Sequence, residues 1–450
     1  MTLGTFNRAA KTGALALGAL ALTTGALLAQ AAAPEAAPAA AATIVPNKGD
    51  NAWMLVSTVL VLLMTIPGLA LFYGGLVHSK NVLSVLMQCF SICCVASVLW
   101  AVAGYSLVFD GDGALIGGFG KILLAGLDPV RAPTLLPESA FALYQMTFAV
   151  ITPALIVGAY PERTTFPFVV LFSALWLMLV YVPVAHWIWG GGWLAGLGAL
   201  DFAGGIVVHT TAGVSALVLA VLIGKRRGFP STLTPPHSPG MTMAGAGMLW
   251  VGWFGFNGGS ALAADASAGN AILATHLSAA AGAMAWTGAE WRKIRKPTSI
   301  GIVTGAVAGL ATITPAAGLV APGAGIVIGL AGGLVCFYVT LAVKQQLKID
   351  DSLDVFAVHG VGGMLGSLLL SVFALSSLGG IGLGEGGNLF RQFGAQALAI
   401  VVTVVWSGLV TYGLTRAIKA YVPIRVDAEA EYEGLDIAAH GERAYEYGGG

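Results

Sequence analysis

The stretch DFAGGIVVHTTAGVSALVLAVLIGKRR, residues 201–227, decides the fold. It begins with Asp201, continues as an apolar run long enough to cross a bilayer as a helix, and ends in a basic cluster. His209 stands within that run. A polar side chain at membrane depth must find polar partners or stay neutral, so it marks a candidate functional position.

The composition of the chain predicts a membrane protein with many crossings. Of the 450 residues, 57% are hydrophobic and only 9% are charged. A soluble domain usually carries about 25% charged residues and could not bury so much apolar surface. The formal net charge of +0 predicts no nucleic-acid partner, and the 4 cysteines lie in apolar segments without metal-ligand spacing. We therefore expect neither a metal nor a cofactor.

The N-terminal region is predicted to direct export. Arg8 and Lys11 precede the apolar centre GALALGALALTTGALLA, and small residues follow it. This layout predicts a signal peptide over residues 1–31, cleaved near Ala31, in a bacterial protein. Residues 32–50 then form an Ala/Pro-rich exported lead. A retained first transmembrane helix is the alternative.

Eleven apolar segments follow, each long enough or nearly long enough to span a bilayer of about 30 Å as a helix. They cover residues 52–76, 82–109, 138–159, 164–188, 203–224, 241–263, 270–290, 299–316, 324–343, 354–377 and 392–418. We predict a membrane domain over residues 51–420 and a cytoplasmic tail over residues 421–450. With the signal peptide removed the N-terminus is outside, and eleven crossings place the C-terminus inside.

The charge of the loops supports this orientation. Loops predicted to be inside carry fourteen basic residues: Lys80, Arg163, Lys225, Arg226, Arg227, Arg292, Lys293, Arg295, Lys296, Lys344, Lys348, Arg416, Lys419 and Arg425. Segments predicted to be outside carry four: Lys48, Lys121, Arg131 and Arg391. An excess of Lys and Arg on the cytoplasmic side is the rule for multi-pass proteins, and it favours the cytoplasmic (inner) membrane of a bacterium.

Two helix starts resemble each other. DFAGGIVVHTTAG opens the fifth segment and DSLDVFAVHGVGG opens the tenth, and in each an acid, Asp201 or Asp351, precedes a histidine by eight residues. By the predicted topology the two helices run in opposite directions. This pattern predicts an inverted repeat of five helices plus five with one extra helix, a plan whose sites lie near the membrane midplane.

The two histidines, His209 and His359, are predicted to meet at that midplane. Eight helical residues advance about 12 Å, and half the hydrocarbon core is about 15 Å thick. Two neutral imidazoles side by side can share one proton, which suits a small neutral molecule or a proton relay. The alternative is two separate core histidines, each bonded to a helix carbonyl.

Aromatic residues cluster in the half of the membrane domain that is predicted to face outside. The motifs HWIWGGGW, WVGWFGFNGGSA and YQMTF contribute Trp189, Trp253, Phe256, Ser260, Tyr144 and Phe148. Aromatic faces attract cations, and a serine hydroxyl can accept a hydrogen bond from one. The alternative is an interfacial aromatic belt with no role in binding.

Five motifs, DFAGGIVVHTTAG, GWFGFNGGSA, MTIPGLALFYGGL, DVFAVHGVGG and TPAAG, closely resemble those of the Amt/Mep/Rh ammonium transporters, on the bacterial Amt side. The resemblance runs from about Asn51 to Tyr445. It implies an all-α membrane protein of eleven transmembrane helices with one pore per subunit, assembled as a homotrimer. It also implies a transporter of ammonium or ammonia and not an enzyme.

The resemblance also implies roles for individual residues. Trp189 and Ser260 match an outer ammonium site, with Tyr144 at a first aromatic position where many relatives have Phe. Asp201 matches a supporting acid near that site. The gate and pore positions are matched by Phe148 and Phe256, by His209 and His359, and by Trp253 and Thr314.

The tail carries one further motif, EGLDIAAHGERAY. It resembles the family's regulatory C-terminal motif, with Gly434, Asp436, His440 and Gly441 at matching places. The resemblance implies contact with the inner loops and control by a cytoplasmic PII-type signalling protein. A disordered, solubilising tail is the alternative.

We therefore expect ammonium to be recruited outside, to lose its proton near a phenyl gate and to pass the histidines as ammonia, with coupled proton transfer. A neutral gas channel of the Rh type is one alternative, although it would need a weaker cation site. A membrane ammonium sensor is another, and we would expect it to carry an appended signalling domain. An intramembrane metalloenzyme would need clustered ligands, whereas the 7 histidines are scattered along the chain.

Overall fold

In the computed structural model, the residues described are 45–232, 235–383 and 387–445, and their regular secondary structure is helical. The predicted signal peptide and residues 32–44 of the exported lead lie outside these ranges. Two isolated β-bridges, Arg131 with Leu136 and Thr164 with Arg425, are the extended pairings found within the described residues.

The helices, numbered in chain order, follow the predicted apolar segments closely. They are α1 Lys48–Leu76, α2 Ser79–Phe109, α3 Glu138–Ala159, α4 Phe166–Gly196, α5 Gly205–Ile223, α6 239–258, α7 Ala266–Ile294, α8 Ser299–Ile313, α9 Ala324–Gln346, α10 Phe356–Phe373 and α11 Leu389–Lys419. Two short helices, α12 Ala428–Glu433 and α13 Leu435–His440, follow in the tail.

Eight of the described helices, α1 to α5 and α9 to α11, are long and apolar enough to cross a membrane. The helix α8 is apolar but has 15 residues, which reach only about 22 Å at 1.5 Å per residue. The prediction of an all-α, multi-pass membrane protein is therefore confirmed. The count of eleven crossings stays a prediction.

Glycines let three neighbouring helices, α7, α8 and α9, pack with their backbones close together. A Cβ atom at Gly309 of α8 or at Gly329 of α9 would lie 2.2 Å from the carbonyl oxygen of Ser278 in α7. The Ser278 hydroxyl also donates to the Gly309 carbonyl at 2.8 Å. Small residues that permit such approach are the usual means of packing helices in a bilayer.

Gly309→Ala should therefore destabilise the protein, because the new methyl group overlaps the Ser278 carbonyl. Overpacking of this kind costs about 1–3 kcal/mol. Gly288→Ala is the matched control, since a Cβ at Gly288 in α7 meets no atom within 4 Å and alanine favours a helix by about 0.5–1 kcal/mol. Thermal unfolding of the detergent-solubilised variants measures both effects. A Gly309→Ala variant as stable as the control would contradict the packing argument.

The helices α5 and α10 cross in contact with each other. A Cβ atom at Gly213 would lie 2.3 Å from the Gly360 Cα, and one at Gly363 would lie 2.4 Å from the Gly205 carbonyl oxygen. Residue numbers therefore rise along α5 as they fall along α10 through the contact. The two helices run in opposite directions, as the predicted topology required.

A buried arginine joins three helix ends on the side of the bundle where α3 and α5 end. The Arg163 guanidinium donates to the carbonyl oxygens of Ala159 at 3.0 Å, Gly224 at 2.8 Å and Asp350 at 2.8 Å. Burial lowers the pKa of Arg163 to about 10, which leaves it charged at neutral pH. Arg163 thus fixes the ends of α3 and α5 to the segment that leads into α10.

Candidate functional site

The two predicted pore histidines form one hydrogen-bonded pair. The Nδ1 atoms of His209 and His359 are 3.2 Å apart, and the ring centroids are 5.1 Å apart at an interplanar angle of 27°. Both side chains are buried. Each histidine stands on a turn of π-helix at the start of its helix, Gly205–Thr210 in α5 and Phe356–Val361 in α10.

The acids that precede the histidines cap these two helix starts. The Asp201 carboxylate accepts backbone hydrogen bonds from Gly204, Gly205, Ile206 and Val207 at 2.7–2.9 Å. Burial raises the pKa of Asp201, and the four N–H groups oppose that shift. The Asp351 carboxylate accepts from the Phe356 amide at 2.7 Å. The repeated spacing of acid and histidine in the sequence is thus the spacing of a helix cap and a histidine of the buried pair.

The first cavity, which we call the Trp189 cavity, has a volume of about 280 Å³. Its lining includes Trp189, Ser260, Phe148, Phe109, Phe141 and Arg131. The Trp189 indole N–H donates to the Asp201 carbonyl at 2.8 Å, which fixes the ring next to the cap of α5. Of the predicted outer-site residues, the structure therefore brings Trp189 and Ser260 together with Phe148, which is predicted to form part of a gate.

Tyr144 lies beside this cavity, and its hydroxyl group is hydrogen-bonded to neighbouring residues. The hydroxyl donates to the Phe256 carbonyl at 2.8 Å and contacts the Ser260 Oγ at 3.3 Å. Its ring packs edge-on against Phe148 at 5.1 Å. The next residue, Gln145, lines the cavity instead. Sequence reasoning missed four other residues of the lining, Gln145, Phe109, Phe141 and Arg131. They lie on segments that are separate in the sequence and meet at this cavity only in the folded protein.

A pair of phenyl rings closes the Trp189 cavity toward the histidines. The centroids of Phe148 and Phe256 are 4.4 Å apart, with the ring planes inclined by 39°. On the far side of Phe256 the ring of His209 lies nearly parallel at 6.0 Å. The pair predicted as a gate thus separates the cavity from the histidines.

Beyond these rings lies a narrow passage of about 10 Å³, lined by His209, His359, Phe256, Trp253 and Phe72 among other residues. That volume is close to the minimum that holds one water molecule. The Trp253 indole N–H donates to the Thr314 hydroxyl at 2.9 Å, so Thr314 fixes the orientation of a ring that lines the passage.

Phe72 also lines a third cavity, the His78 cavity, of about 230 Å³. Its charged lining includes His78, Glu162 and Arg226. Burial alone would raise the pKa of Glu162, but the His78 hydrogen bond and the Arg226 charge outweigh it and lower the pKa to about 2. The Trp189 cavity, the passage and the His78 cavity therefore follow one another through the bundle. Sequence reasoning did not identify the His78 cavity.

The tail packs against loops near the His78 cavity. The amide of Ser84, in the first turns of α2, donates to the Asp436 carboxylate at 2.8 Å, and the Leu435 amide donates to Asn81 at 2.8 Å. Gly434 has φ +108°, and a Cβ there would lie 2.7 Å from Lys80. The four motif positions Gly434, Asp436, His440 and Gly441 all belong to this docked segment, and His440 packs edge-on against Phe166 at 5.2 Å.

Two cavities that lie on either side of a narrow, buried passage lined by two histidines, within a helical membrane domain, are the arrangement of a membrane transport protein. The sequence profile described as Ammonium Transporter Family matches residues 52–445. An ammonium transporter of Bacillus subtilis (strain 168) is 45% identical over 405 residues, which is 88% of this chain and 98% of the relative.

Two solved structures are also similar. Saccharomyces cerevisiae Mep2 superimposes with a TM-score of 0.77 at 35% identity, over 86% of this chain and 90% of the other. A protein described as a sensor Amt protein gives a TM-score of 0.82 at 30% identity, over 87% and 98%. The chain belongs to the ammonium transporter family. This membership confirms the predicted family, and with it a transporter and not an enzyme.

The cap of α5 yields a prediction for Asp201→Asn. In the wild type four backbone N–H groups donate to the two carboxylate oxygens of Asp201. An asparagine would place an amide nitrogen, which cannot accept, opposite two of these donors. The free energy of unfolding should therefore fall by about 1–2 kcal/mol. Asp265→Asn is the matched control, because Asp265 caps α7 through two amides at an exposed position, where Asn caps as well as Asp. Thermal unfolding would show this difference, and equal losses in both variants would contradict it.

Proposed function

We propose that this protein carries ammonium across the bacterial cytoplasmic membrane, by capture of the cation, loss of its proton at the phenyl pair and passage of ammonia along the histidines. The observation that supports this proposal most directly is the His209–His359 pair, which lies next to the paired rings of Phe148 and Phe256. We place the Trp189 cavity outside and the His78 cavity in the cytoplasm, following the loop charges.

Capture takes place in the Trp189 cavity. The face of an indole ring attracts a cation by about 0.5–2 kcal/mol. The Ser260 hydroxyl donates its proton to the Phe256 carbonyl at 2.8 Å, which leaves its lone pairs to accept an N–H of ammonium. Tyr144 assists by holding Ser260 and Phe256, and Asp201 assists by fixing Trp189 through its carbonyl oxygen.

Loss of the proton is the cheaper route through the passage. Moving a bare cation into a medium of low dielectric constant costs tens of kcal/mol on the idealised Born estimate. Removing a proton at pH 7 from a group with a lysine-like pKa of about 10.4 costs only on the order of 5 kcal/mol. A passage that holds about one small molecule, lined by the apolar side chains of Trp253 and Phe256, therefore favours ammonia.

The histidine pair offers polar partners without a fixed charge. Because the contact joins two Nδ1 atoms, one ring donates the proton and the other accepts it. The His209 Nε2 atom is buried without a hydrogen-bond partner among the described residues, so it is available to ammonia. The same rings can pass a proton, and we favour transport coupled to proton transfer.

The resemblance to the ammonium transporters also supports proposals for the assembly and the regulation of this protein. We propose a homotrimer with one passage per subunit, a cleaved N-terminus outside, and a cytoplasmic tail that transmits regulation by a PII-type protein. The docking of Gly434, Asp436 and His440 next to the His78 cavity supports the regulatory role of the tail.

A sensor is the second candidate function, favoured by the similarity to the sensor Amt protein over 87% of this chain. The discriminating measurement is transport itself. Ammonium-dependent current in proteoliposomes that contain only this protein supports a transporter, whereas ammonium binding without current supports a sensor. A neutral gas channel would give ammonia flux without current.

The first functional prediction concerns the histidine pair. His209→Ala and His359→Ala should each abolish most of the ammonium-dependent current, and the double variant should be scarcely worse, because breaking either partner already disables the pair. The measurement is current per folded protein in proteoliposomes. His276→Ala is the matched control, since His276 is an exposed histidine that packs against Trp250 and Phe254 outside the passage lining. Normal current in either single variant would refute the relay.

The second functional prediction concerns the tail. Gly434→Val should undock the tail, because the branched side chain would collide with Lys80 and φ +108° disfavours it. Flux should fall while assembly remains intact, and we expect the same result when residues after Arg425 are removed. Gly441→Asn is the matched control, since Gly441 at φ +70° has open space around it and asparagine tolerates that conformation. Full activity in the Gly434→Val variant would show that docking of the tail has no effect on transport.

A further inference from the structure

The Trp189 cavity contains a charge of its own. Arg131 lies in the segment between α2 and α3, and of the side chains that line the cavity within the described residues it is the charged one. The Arg131 Cζ atom is 4.0 Å from the ring centroid of Phe141 and 5.6 Å from that of Phe109. These two rings pack edge to face, with centroids 4.9 Å apart. A guanidinium therefore occupies an aromatic cation site in the cavity proposed to capture ammonium.

The position of Arg131 is fixed by its backbone. Its amide donates to the Leu136 carbonyl at 2.8 Å, and its own carbonyl accepts from the Thr134 hydroxyl at 3.0 Å. The side chain is half-buried. Because both ends of this short turn are bonded, the fold fixes the backbone from which the Arg131 side chain reaches over the two rings.

The nearby acid is already matched by other groups. Glu138 accepts hydrogen bonds from the Tyr105 hydroxyl at 2.5 Å and from the Asp128 amide at 2.7 Å, and it forms an ion pair with Lys121. Within the described residues, the ion pairs at this end of the bundle join Lys121 to Asp128 and Glu138 and do not include Arg131. Lys121, Asp128 and Glu138 lie outside the lining of the Trp189 cavity, so the charge that faces this cavity is that of Arg131.

We propose that Arg131 is a specificity-determining residue, a fixed cation that opposes the binding of permanent cations in the Trp189 cavity and favours ammonia over ammonium next to the phenyl pair. The inference rests on the proposed function. A like charge raises the free energy of a bound cation but leaves a neutral molecule unaffected. An ion that can lose a proton escapes this repulsion at the gate, whereas potassium or sodium cannot.

This role predicts a particular change in transport by Arg131→Gln. The ammonium concentration at half-maximal current should fall about two- to fivefold, on the scale of one screened unit charge, and the maximal current should not rise. Arg131→Lys keeps the charge and should keep the half-saturation of the wild type. Arg391→Gln removes one positive charge from an exposed residue that lines a different cleft, and it should also behave as the wild type.

A second measurement varies the salt concentration and compares the wild type with Arg131→Gln. In vesicles of neutral phosphatidylcholine, raising the salt from about 10 mM to about 150 mM shortens the Debye length from about 30 Å to about 8 Å. Screening weakens the repulsion, so the half-saturation of the wild type should fall as sodium gluconate is added. In Arg131→Gln it should stay constant.

Four outcomes would overturn the inference: an unchanged half-saturation in Arg131→Gln, the same decrease in Arg391→Gln, an Arg131→Lys variant that behaves as Arg131→Gln, or a wild-type half-saturation that does not fall with salt. The proposed function fails in a different way, by absence of ammonium-dependent current in the wild type. Size-exclusion chromatography and thermal unfolding establish that each variant is folded before its current is compared.

Discussion

The crossing of α5 and α10 is the contact on which the rest of the site depends. Glycines at the crossing let the two backbones meet, and only at that separation can the Nδ1 atoms of His209 and His359 come within 3.2 Å. A side chain at Gly213 or Gly363 would push the helices apart and break the imidazole contact. The hydrogen bond in turn gives one polar atom of each ring a partner within the apolar interior, where an unpaired polar group is costly.

Caps at both helix starts make this crossing possible. The free N–H groups of a helix end would be expensive at membrane depth, and the Asp201 carboxylate accepts four of them. Its carbonyl oxygen holds Trp189, so one residue connects the start of the pore helix to the cavity in front of the phenyl rings. Binding and passage are therefore built on one local structure.

The electrostatics of the two ends of the passage differ. The His78 cavity is lined by acids and bases that pair with one another: Arg226 pairs with Glu162 and Lys344 pairs with Asp354, and the Arg226 charge contributes to the low pKa of Glu162. The Trp189 cavity is lined by aromatic rings and one guanidinium. We therefore propose that selection by charge is concentrated at the end that we place outside, and that the passage selects by size and polarity.

The sequence by itself determined the membrane class, the helix positions and the family, because apolar length and the family's short motifs are properties of local sequence. The equal spacing of Asp201 to His209 and of Asp351 to His359, together with the opposite directions of the two helices in the predicted topology, predicted that the histidines meet. Only the tertiary structure placed Arg131, Phe109 and Phe141 beside Trp189, and only it revealed the His78 cavity and turned the Tyr144 hydroxyl toward Phe256. The physical reason is that the constant rise per residue fixes the depth of each side chain along one helix. Which side chains share a cavity is decided instead by how helices and loops that are distant in the sequence pack together.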